Sequence, residues 1–316
     1  MNRLRLLAGF LLLAAFLPAQ QLPLLTQYRH NQSILNPAAV SSEFLAFENN
    51  VAVGASYRLQ WVGFENAPTT AVVRGDVLLE TGGGVNLLTG GYLINDQTGP
   101  TGFTGAYGRI GGLISSDPYY GGVAFGLSFG MVQYRVDVSE IRLRQDGDIL
   151  GTEDAQQFYP DVGLGAFAYT VVGDGDYLYG GVSVPQVFGL DLDVRTADGE
   201  FVAERVPHFY GVLGFYKFLR DEGFLQPSLW VKYAPNVPVN VDFNLRYQMA
   251  ANFWIGVGGS SAGAMHGEFG VLVGENLGFG NTLKIGYGFD YHFSSFGPFT
   301  GASHEINVSY SLDTNY

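Results

Sequence analysis

Residues 238–249, PVNVDFNLRYQM, alternate strictly between apolar and polar side chains. Successive side chains of a β-strand point to opposite faces of the sheet, so this alternation predicts a strand with one apolar and one polar face. The apolar positions are Val239, Val241, Phe243, Leu245, Tyr247 and Met249, and the polar positions are Asn240, Asp242, Asn244, Arg246 and Gln248. Each face needs a different environment, and this requirement limits the folds open to the chain.

The same alternation recurs along the chain in about fourteen segments, an even number as in bacterial outer-membrane barrels. Most segments reach the length of about 9–11 residues that a tilted strand needs to cross a bilayer. The predicted strands cover 48–62, 69–80, 84–95, 101–115, 120–134, 158–173, 177–188, 207–219, 224–235, 238–249, 252–262, 265–274, 281–294 and 303–312.

Composition favours a membrane barrel over a soluble β-sandwich. Charged residues make up only 14% of the chain, which also has 45 Gly, 19 Tyr and 24 Phe. A soluble domain has about 25% charged residues, and sandwich strands are typically about five or six residues long. No run of about 18 apolar residues follows residue 19, so no transmembrane helix is predicted. We therefore predict an all-β transmembrane antiparallel barrel in the outer membrane, with apolar residues facing lipid and polar residues facing the lumen.

The N-terminus has the layout of a secretory signal peptide over residues 1–19, with Arg3, Arg5 and an apolar core before Ala19. Residues 20–46 do not alternate, and Asn36-Pro37 marks a turn within them. We predict that this short non-strand segment lies at the periplasmic mouth or folds into the lumen, and that it includes a short helix. The barrel is then predicted to cover residues 47–316.

Charge and cysteine content exclude several functional classes. The chain has 16 basic and 29 acidic residues and a net charge of −13, so no nucleic-acid partner is expected. It has no cysteine, which removes disulfides and thiolate metal sites. Five histidines, His30, His208, His266, His292 and His304, stand singly without metal-ligand spacing. We expect no metal, no cofactor and no catalytic residues.

Three motifs suggest chemistry, but each is explained better by structure. GDGD at 173–176 is a hairpin turn, because the downstream Glu of a calcium loop is missing. GVGGSS at 256–261 lies within a strand pattern and lacks the lysine of a phosphate loop. Ser260, Ser261 and His266 have no nucleophile elbow around them, so a hydrolase is the weakest hypothesis.

Charged residues at inward positions form a more informative group. Arg58 and Gln60 on the first strand, and Arg74 and Asp76 on the second, are predicted to point into the lumen. Buried charges require partners, so we predict an ion-pair and hydrogen-bond network that stiffens the barrel or contacts a plug. On this basis Arg58→Ala should impair stability or assembly more than Lys284→Ala.

Several motifs, in order along the mature chain, resemble the PorP/SprF family. QYRHNQSILNPAAVSS resembles the family's opening segment, and YRLQWVGFENAPTT resembles its next conserved stretch. The later matching pieces are PDVGLGAFAY, YLYGGVSVPQVF, FLQPSLWVKY, VDFNLRYQM, FWIGVGG and GASHEINVSYSL. The second motif is formed here by Tyr57, Arg58, Gln60, Trp61, Ala67, Pro68 and Thr70.

This resemblance implies an outer-membrane component of the type IX secretion and gliding system. It implies association with the periplasmic ring and peptidoglycan-linked proteins and, for some members, with a large secreted adhesin. We expect a non-enzymatic role in the lipid bilayer, in export or surface anchoring of such proteins. The alternative is a solute channel or transporter. Candidate residues for aromatic girdles at the membrane interfaces are Tyr57, Trp61, Tyr119, Tyr120, Trp230 and Tyr247.

Overall fold

The structure is a computed structural model that describes residues 25–137, 155–188, 190–196, 199–220, 222–250, 252–274, 281–293 and 301–314. The predicted signal peptide, residues 1–19, lies outside the described residues, as do residues 20–24. Within the described part of the chain, no helix is both long enough and apolar enough to cross a membrane.

The described residues form sixteen strands. They are β1 (Val51–Leu59), β2 (Thr69–Leu79), β3 (Val85–Thr98), β4 (Thr101–Ile114), β5 (Gly121–Val136), β6 (Ala155–Val172), β7 (Asp176–Val184), β8 (Leu190–Thr196), β9 (Gly199–Arg205), β10 (Phe209–Phe218), β11 (Phe224–Tyr233), β12 (Asn240–Gln248), β13 (Phe253–Ser260), β14 (Ala264–Val273), β15 (Asn281–His292) and β16 (Ser303–Leu312).

Fourteen of these strands close into one antiparallel barrel in sequence order, and β1 pairs with both β2 and β16. The predicted fold class is therefore confirmed. The other two strands, β8 and β9, form a separate hairpin within the connection between β7 and β10. That hairpin falls between the predicted strands 177–188 and 207–219, where no strand was predicted.

The two faces of the wall differ as the alternation predicted. In β12, Phe243 and Leu245 are exposed on the outer surface, whereas Asp242, Asn244 and Arg246 are buried inside. The inner face of β16 is likewise polar, with Glu305 and Asn307 among its buried residues. Because a bilayer surrounds the outer face, the exposed apolar side chains contact lipid.

The connections differ in length between the two ends of the barrel. One end carries short connections such as 173–175 between β6 and β7 and 249–252 between β12 and β13, together with residues 48–50 before β1. The opposite end carries the connection between β5 and β6 and the connection that contains β8 and β9. Short turns lie on the periplasmic side of outer-membrane barrels and longer loops on the extracellular side. The second end is therefore the extracellular end.

The N-terminal segment folds inside the barrel. It contains a 3-10 helix (Tyr28–Asn31), α1 (Gln32–Leu35) and α2 (Ser42–Phe47). Asn36 is extended, as expected before a proline, and this residue ends α1. The Ser41 side chain caps α2 by accepting a hydrogen bond from the Phe44 backbone N–H at 3.2 Å. The short helices of this segment therefore follow from local sequence signals.

Candidate functional site

Residues 25–47, hereafter the plug, lie against the inner wall of the barrel and are joined to it by buried ion pairs. The Arg29 guanidinium contacts the Glu268 carboxylate of β14. Glu43 in α2 accepts a hydrogen bond from the Lys284 ammonium of β15. All four side chains are almost fully buried. Removing one partner would leave an uncompensated buried charge, so these pairs fix the position of the plug.

A second polar cluster holds the first described residues of the plug. The backbone N–H groups of Thr26 and Gln27 donate to the two Glu305 carboxylate oxygens at 2.7 and 3.1 Å. The Thr26 hydroxyl donates to Asp290 at 2.7 Å, and Arg58 contacts both this carboxylate (2.5 Å) and Glu305 (3.5 Å). One buried arginine thus balances two wall carboxylates, which in turn bind the plug backbone.

A third cluster satisfies plug backbone groups that have no helix partner. Arg109 of β4 donates to the carbonyl oxygens of Pro37 (3.2 Å) and Ala39 (2.8 Å) and also pairs with Asp76 at 3.0 Å. Asp76 in turn pairs with Arg74 at 2.8 Å. Irregular backbone at membrane depth requires such partners, because no lipid group can hydrogen-bond to it.

Further plug contacts are hydrogen bonds and apolar packing. The hydrogen bonds join Tyr28 to Ser228 (2.7 Å), Asn31 to Ser56 (3.0 Å) and Ser33 to Asp76 (3.1 Å). The main apolar cluster joins plug residues Ala38, Ala39, Val40, Phe44 and Leu45 to wall residues Leu78, Leu88, Leu113, Ala124, Phe167, Tyr169, Tyr179, Tyr216 and Phe224. These apolar residues of the plug and the wall form one shared hydrophobic core.

Glycines of the wall make room for the plug backbone. A Cβ atom added at Gly126 of β5 would overlap the Pro37 carbonyl group, and one added at Gly165 of β6 would overlap the Asn36 side chain. On the other side of the barrel, a Cβ atom at Gly286 of β15 would overlap the Gln27 side chain. These inward glycines therefore mark where the plug approaches the wall most closely.

His30 lies between charged groups of the wall and the plug. Its Nε2 accepts a hydrogen bond from Arg246 at 3.1 Å, and its Nδ1 lies 3.6 Å from Glu43 Oε1. The pKa of His30 is lowered to about 4, chiefly by burial and also by Arg246 and Lys284, while Glu43 opposes the shift. Burial would raise the pKa of Glu43, but Lys284 and His30 hold it well below its usual range. At neutral pH the plug therefore contains a neutral His30 and an ionised Glu43.

The structure places the predicted network residues in two separate groups. Arg58 lies opposite Thr70 in the β1–β2 register, whereas Arg74 lies opposite Gly54, so the two arginines do not meet. Arg58 pairs with Asp290 and Glu305, while Arg74 and Asp76 pair with each other.

The remaining motif residues lie outside both groups. Tyr57 is exposed on the outer face, at 47%. Gln60 and Trp61 follow the end of β1, and Gln60 donates its backbone N–H to the Pro68 carbonyl at 2.8 Å. Trp61 has a left-handed backbone, and its N–H donates to the Ser303 hydroxyl at 3.2 Å. Ala67 precedes Pro68 in the connection before β2. Gln60, Trp61, Ala67 and Pro68 therefore belong to the connection between β1 and β2, and Tyr57 belongs to the outer face of β1.

Three sequence interpretations need correction. Lys284 is as deeply buried as Arg58 and binds the plug, so there is no structural reason for it to tolerate substitution better. Trp230 points into the lumen, where its ring centroid lies 4.9 Å from that of Tyr28, and it is not an interfacial girdle residue. The Tyr119 ring packs against the Phe44 ring of the plug, with the two ring centroids 5.3 Å apart. Tyr120, in contrast, is exposed at 68%.

The hydrolase candidates Ser260 and His266 line the same cavity, but they hydrogen-bond to different partners. The Ser260 hydroxyl pairs with Asn240, and His266 Nε2 contacts Asn244 Oδ1 at 2.5 Å. Within the ranges that the structure describes, no three His, Asp or Glu side chains are arranged to hold a metal ion.

Sequence reasoning missed most of the wall residues that hold the plug. Arg109, Arg246, Glu268, Asp290 and Glu305 all occupy inward positions of their strands. Alternate residues of each strand face inward, and these five occupy such positions. The alternation could therefore have identified them, because a charged side chain on the inner face must find a partner. The alternation could not show which plug residue contacts each of them, since the plug has no strand periodicity.

The comparison with family models decides the family. A model described as type IX secretion system membrane protein PorP/SprF matches residues 17–310. The chain belongs to the PorP/SprF family. A comparison with the curated proteins finds no match. The PorP/SprF match spans the described plug and the barrel as far as Tyr310 in β16, so the plug belongs to the region that the family model covers.

Solved structures with this fold are outer-membrane barrels. The Pseudomonas putida toluene transporter TodX is 10% identical to this PorP/SprF protein, with 90% of this chain and 94% of that chain covered and a TM-score of 0.53. A Pseudomonas aeruginosa FadL homologue is 8% identical, with 89% and 93% covered and a TM-score of 0.52. At these identities the likeness concerns the fold alone. Together with the family match, it identifies an outer-membrane protein of type IX secretion.

Proposed function

We propose that this protein is a non-enzymatic accessory barrel that assists export or surface anchoring of secreted proteins, such as adhesins, by protein–protein contact. Family membership supports a role beside other components of type IX secretion. The single observation that carries the contact role is the plug, which lies in the lumen and is held there by buried ion pairs. With the lumen occupied by its own chain, the surfaces left for function are the connections and rims at the two ends.

The two ends suit different partners. The extracellular end carries the long connections, including the β8–β9 hairpin, and would face a secreted protein. The periplasmic end carries short turns and the residues that follow the plug, and would face the periplasmic ring and peptidoglycan-linked components. The exposed apolar band would keep both surfaces at fixed heights relative to the bilayer.

Co-purification from native outer membranes tests this proposal. We expect the tagged protein to recover both periplasmic type IX components and at least one large secreted surface protein. A matched variant with the β8–β9 hairpin, residues 190–205, replaced by a short Gly-Ser linker should retain the periplasmic components and lose the secreted protein. Recovery of neither class with the unaltered protein would contradict the proposal.

The alternative, a solute channel, is weakened by the same plug. A continuous aqueous path would require the plug to leave the lumen, which would break the Arg29–Glu268 and Lys284–Glu43 pairs. The likeness to a toluene transporter does not reverse this argument, because at 10% identity it concerns the fold alone. Large steady currents from the purified protein would favour the channel.

A further inference from the structure

The extracellular part of β6 has neighbours on one side only. β5 pairs with residues 155–170 of β6, whereas β7 pairs with residues 164–172. The next contact on the β7 side is a hydrogen bond from the Val187 N–H to the Val162 carbonyl oxygen, at 2.8 Å. Within the described part of the chain, no strand pairs with residues 156–160 on that side.

The chain after β7 turns inward and leaves this side of β6 uncovered. Pro185, the residue after β7, is buried. A Cβ atom added at Gly163, an inward position of β6, would lie 2.6 Å from the Pro185 carbonyl oxygen. The chain therefore crosses the inner face of β6 at this point instead of continuing beside it.

The main-chain groups of Gln156, Phe158 and Pro160, hereafter the open edge, face the uncovered side. Within an antiparallel strand, the side to which a residue's N–H and C=O point alternates from residue to residue. Val162 points away from β5, because its carbonyl accepts from Val187, and the β5–β6 register is continuous. The three residues at even positions before Val162 therefore point the same way. Pro160 fits this assignment, because a proline has no N–H and is confined to edges and bulges.

The open edge lies where the outer face of the wall changes from apolar to polar. Phe158 is 65% exposed, and Pro160 is also exposed. Towards the extracellular end, the exposed Gln156 side chain accepts a hydrogen bond from Gln133 of β5 at 3.2 Å. An open sheet edge is not stable against lipid, which cannot hydrogen-bond to it, and an edge in water is a template for another strand. The occupant that fits this edge is therefore another main chain.

A second copy of this protein does not fit the open edge. Two barrels in one bilayer are related by an axis along the membrane normal, so their β6 strands run in the same direction at the same height. The N–H groups of one edge would then face the N–H groups of the other. Such an arrangement cannot form a hydrogen-bonded ladder.

We propose that a strand of a secreted partner pairs with the open edge and extends the wall at the cell surface. The N–H groups of Gln156 and Phe158 donate to the partner strand, and the carbonyl oxygens of both residues and of Pro160 accept from it. A β-branched or aromatic partner residue opposite Phe158 packs on the exposed ring. The inference rests on the proposed function, because it names the surface by which the extracellular end holds the secreted protein.

Photo-cross-linking in native cells tests for a strand at this edge. Gln156 and Phe158 are replaced, in separate variants, by p-benzoylphenylalanine, and the cross-linked residues are mapped by mass spectrometry. We expect both variants to cross-link to one secreted protein, at main positions two residues apart, because the two side chains lie on one face of β6. Val182, 64% exposed on β7 between β6 and β10, is the control position and should give no such cross-link. Cross-links to this chain itself or to a second copy, or a spacing of three or four residues, would overturn the proposal.

A proline and an alanine at one position separate main-chain pairing from side-chain contact. Phe158→Pro removes the N–H that faces the open edge and removes no bond to β5, whereas Phe158→Ala removes the ring and keeps the N–H. Recovery of the secreted protein from native membranes should fall at least tenfold in Phe158→Pro and at most threefold in Phe158→Ala. Heat-modifiable migration in gels confirms folding, and Gln156→Pro with Gln156→Ala gives the same comparison if Phe158→Pro does not fold. Equal recovery with proline and alanine would overturn the proposal.

The same recoveries separate this inference from the proposed function. Both Phe158 variants should recover the periplasmic components as well as the unaltered protein does. If the unaltered protein recovers no secreted protein, the proposed function itself fails. If it recovers one and neither replaced position cross-links to it, only the inference about the open edge fails.

Discussion

At the scale of single residues, this protein depends on charges buried between the plug and the wall. Glu43, Lys284, Arg29 and Glu268 are each nearly inaccessible to solvent. The energetics of such groups are asymmetric: a complete pair contributes little compared with a hydrophobic pair, but half a pair is strongly destabilising. Substituting one member of a pair and substituting both members should therefore have very different effects on the free energy of unfolding.

Lys284→Met is expected to lower the free energy of unfolding by about 3–5 kcal/mol, because Glu43 is left buried without its cation. The double variant Lys284→Met with Glu43→Gln should lose much less free energy of unfolding than the sum of the losses in the two single variants. Urea unfolding in lipid vesicles measures both. Lys217→Met is the control, since Lys217 pairs with Asp176 but its side chain is 51% exposed, and its loss should be at most about 1 kcal/mol. Equal losses at both lysines would contradict the prediction.

Acid is expected to loosen the plug through His30. Its pKa in the folded protein, about 4, lies below the ordinary value of 6.5, so a displaced plug binds a proton that the docked plug does not. Stability of the docked state therefore falls as pH drops from 6.5 to 4, by about 3 kcal/mol at full effect. Glu43, whose pKa is also lowered, weakens docking further below its ordinary value of 4.5.

Hydrogen exchange of residues 25–47, corrected for the intrinsic rate at each pH, measures this effect. Exchange protection should be high at pH 7 and lower at pH 5. His30→Gln keeps an acceptor for Arg246 but cannot be protonated, so this variant should lose the dependence between pH 6.5 and 4.5. If exchange protection depends on pH to the same extent in His30→Gln, another group is responsible for the effect.

At the scale of elements, the fourteen barrel strands could be predicted, whereas the β8–β9 hairpin and the docking of the plug could not. Each strand carries its own alternation, so β12 and its neighbours were located from local sequence. The same parity places Trp230 inside with Gln226 and Ser228, and the girdle interpretation failed by ignoring that parity. The plug contacts join residues far apart, as Arg29 to Glu268 and Glu43 to Lys284, and depend on the register of strands that the sequence does not reveal.

Inward glycines of the wall are also expected to contribute to the stability of the barrel with its plug. Gly126→Ala places a methyl group against the Pro37 carbonyl, a backbone atom that cannot rotate away. Overpacking of this kind lowers the free energy of unfolding by about 1–3 kcal/mol. Gly75→Ala is the matched control, because its added methyl group would meet only Val53, at 3.8 Å on the outer face. The prediction fails if Gly75→Ala destabilises the barrel as much as Gly126→Ala in the same unfolding assay.

At the scale of the whole molecule, the barrel and its plug form one unit. The family model spans both, and the wall supplies partners for the plug from strands on every side, including β1, β4, β6, β11, β14, β15 and β16. A barrel whose lumen is filled in this way can act through its ends, where the secretion partners proposed above would bind.

Conductance in planar lipid bilayers tests the closed lumen most directly. The purified protein should give no steady ohmic current at neutral pH, because the plug and its ion pairs occupy the path. The double variant Arg29→Met with Lys284→Met, which releases two of those pairs, should show intermittent openings. A large, steady current from the unaltered protein would contradict the account and make a solute pore the better description.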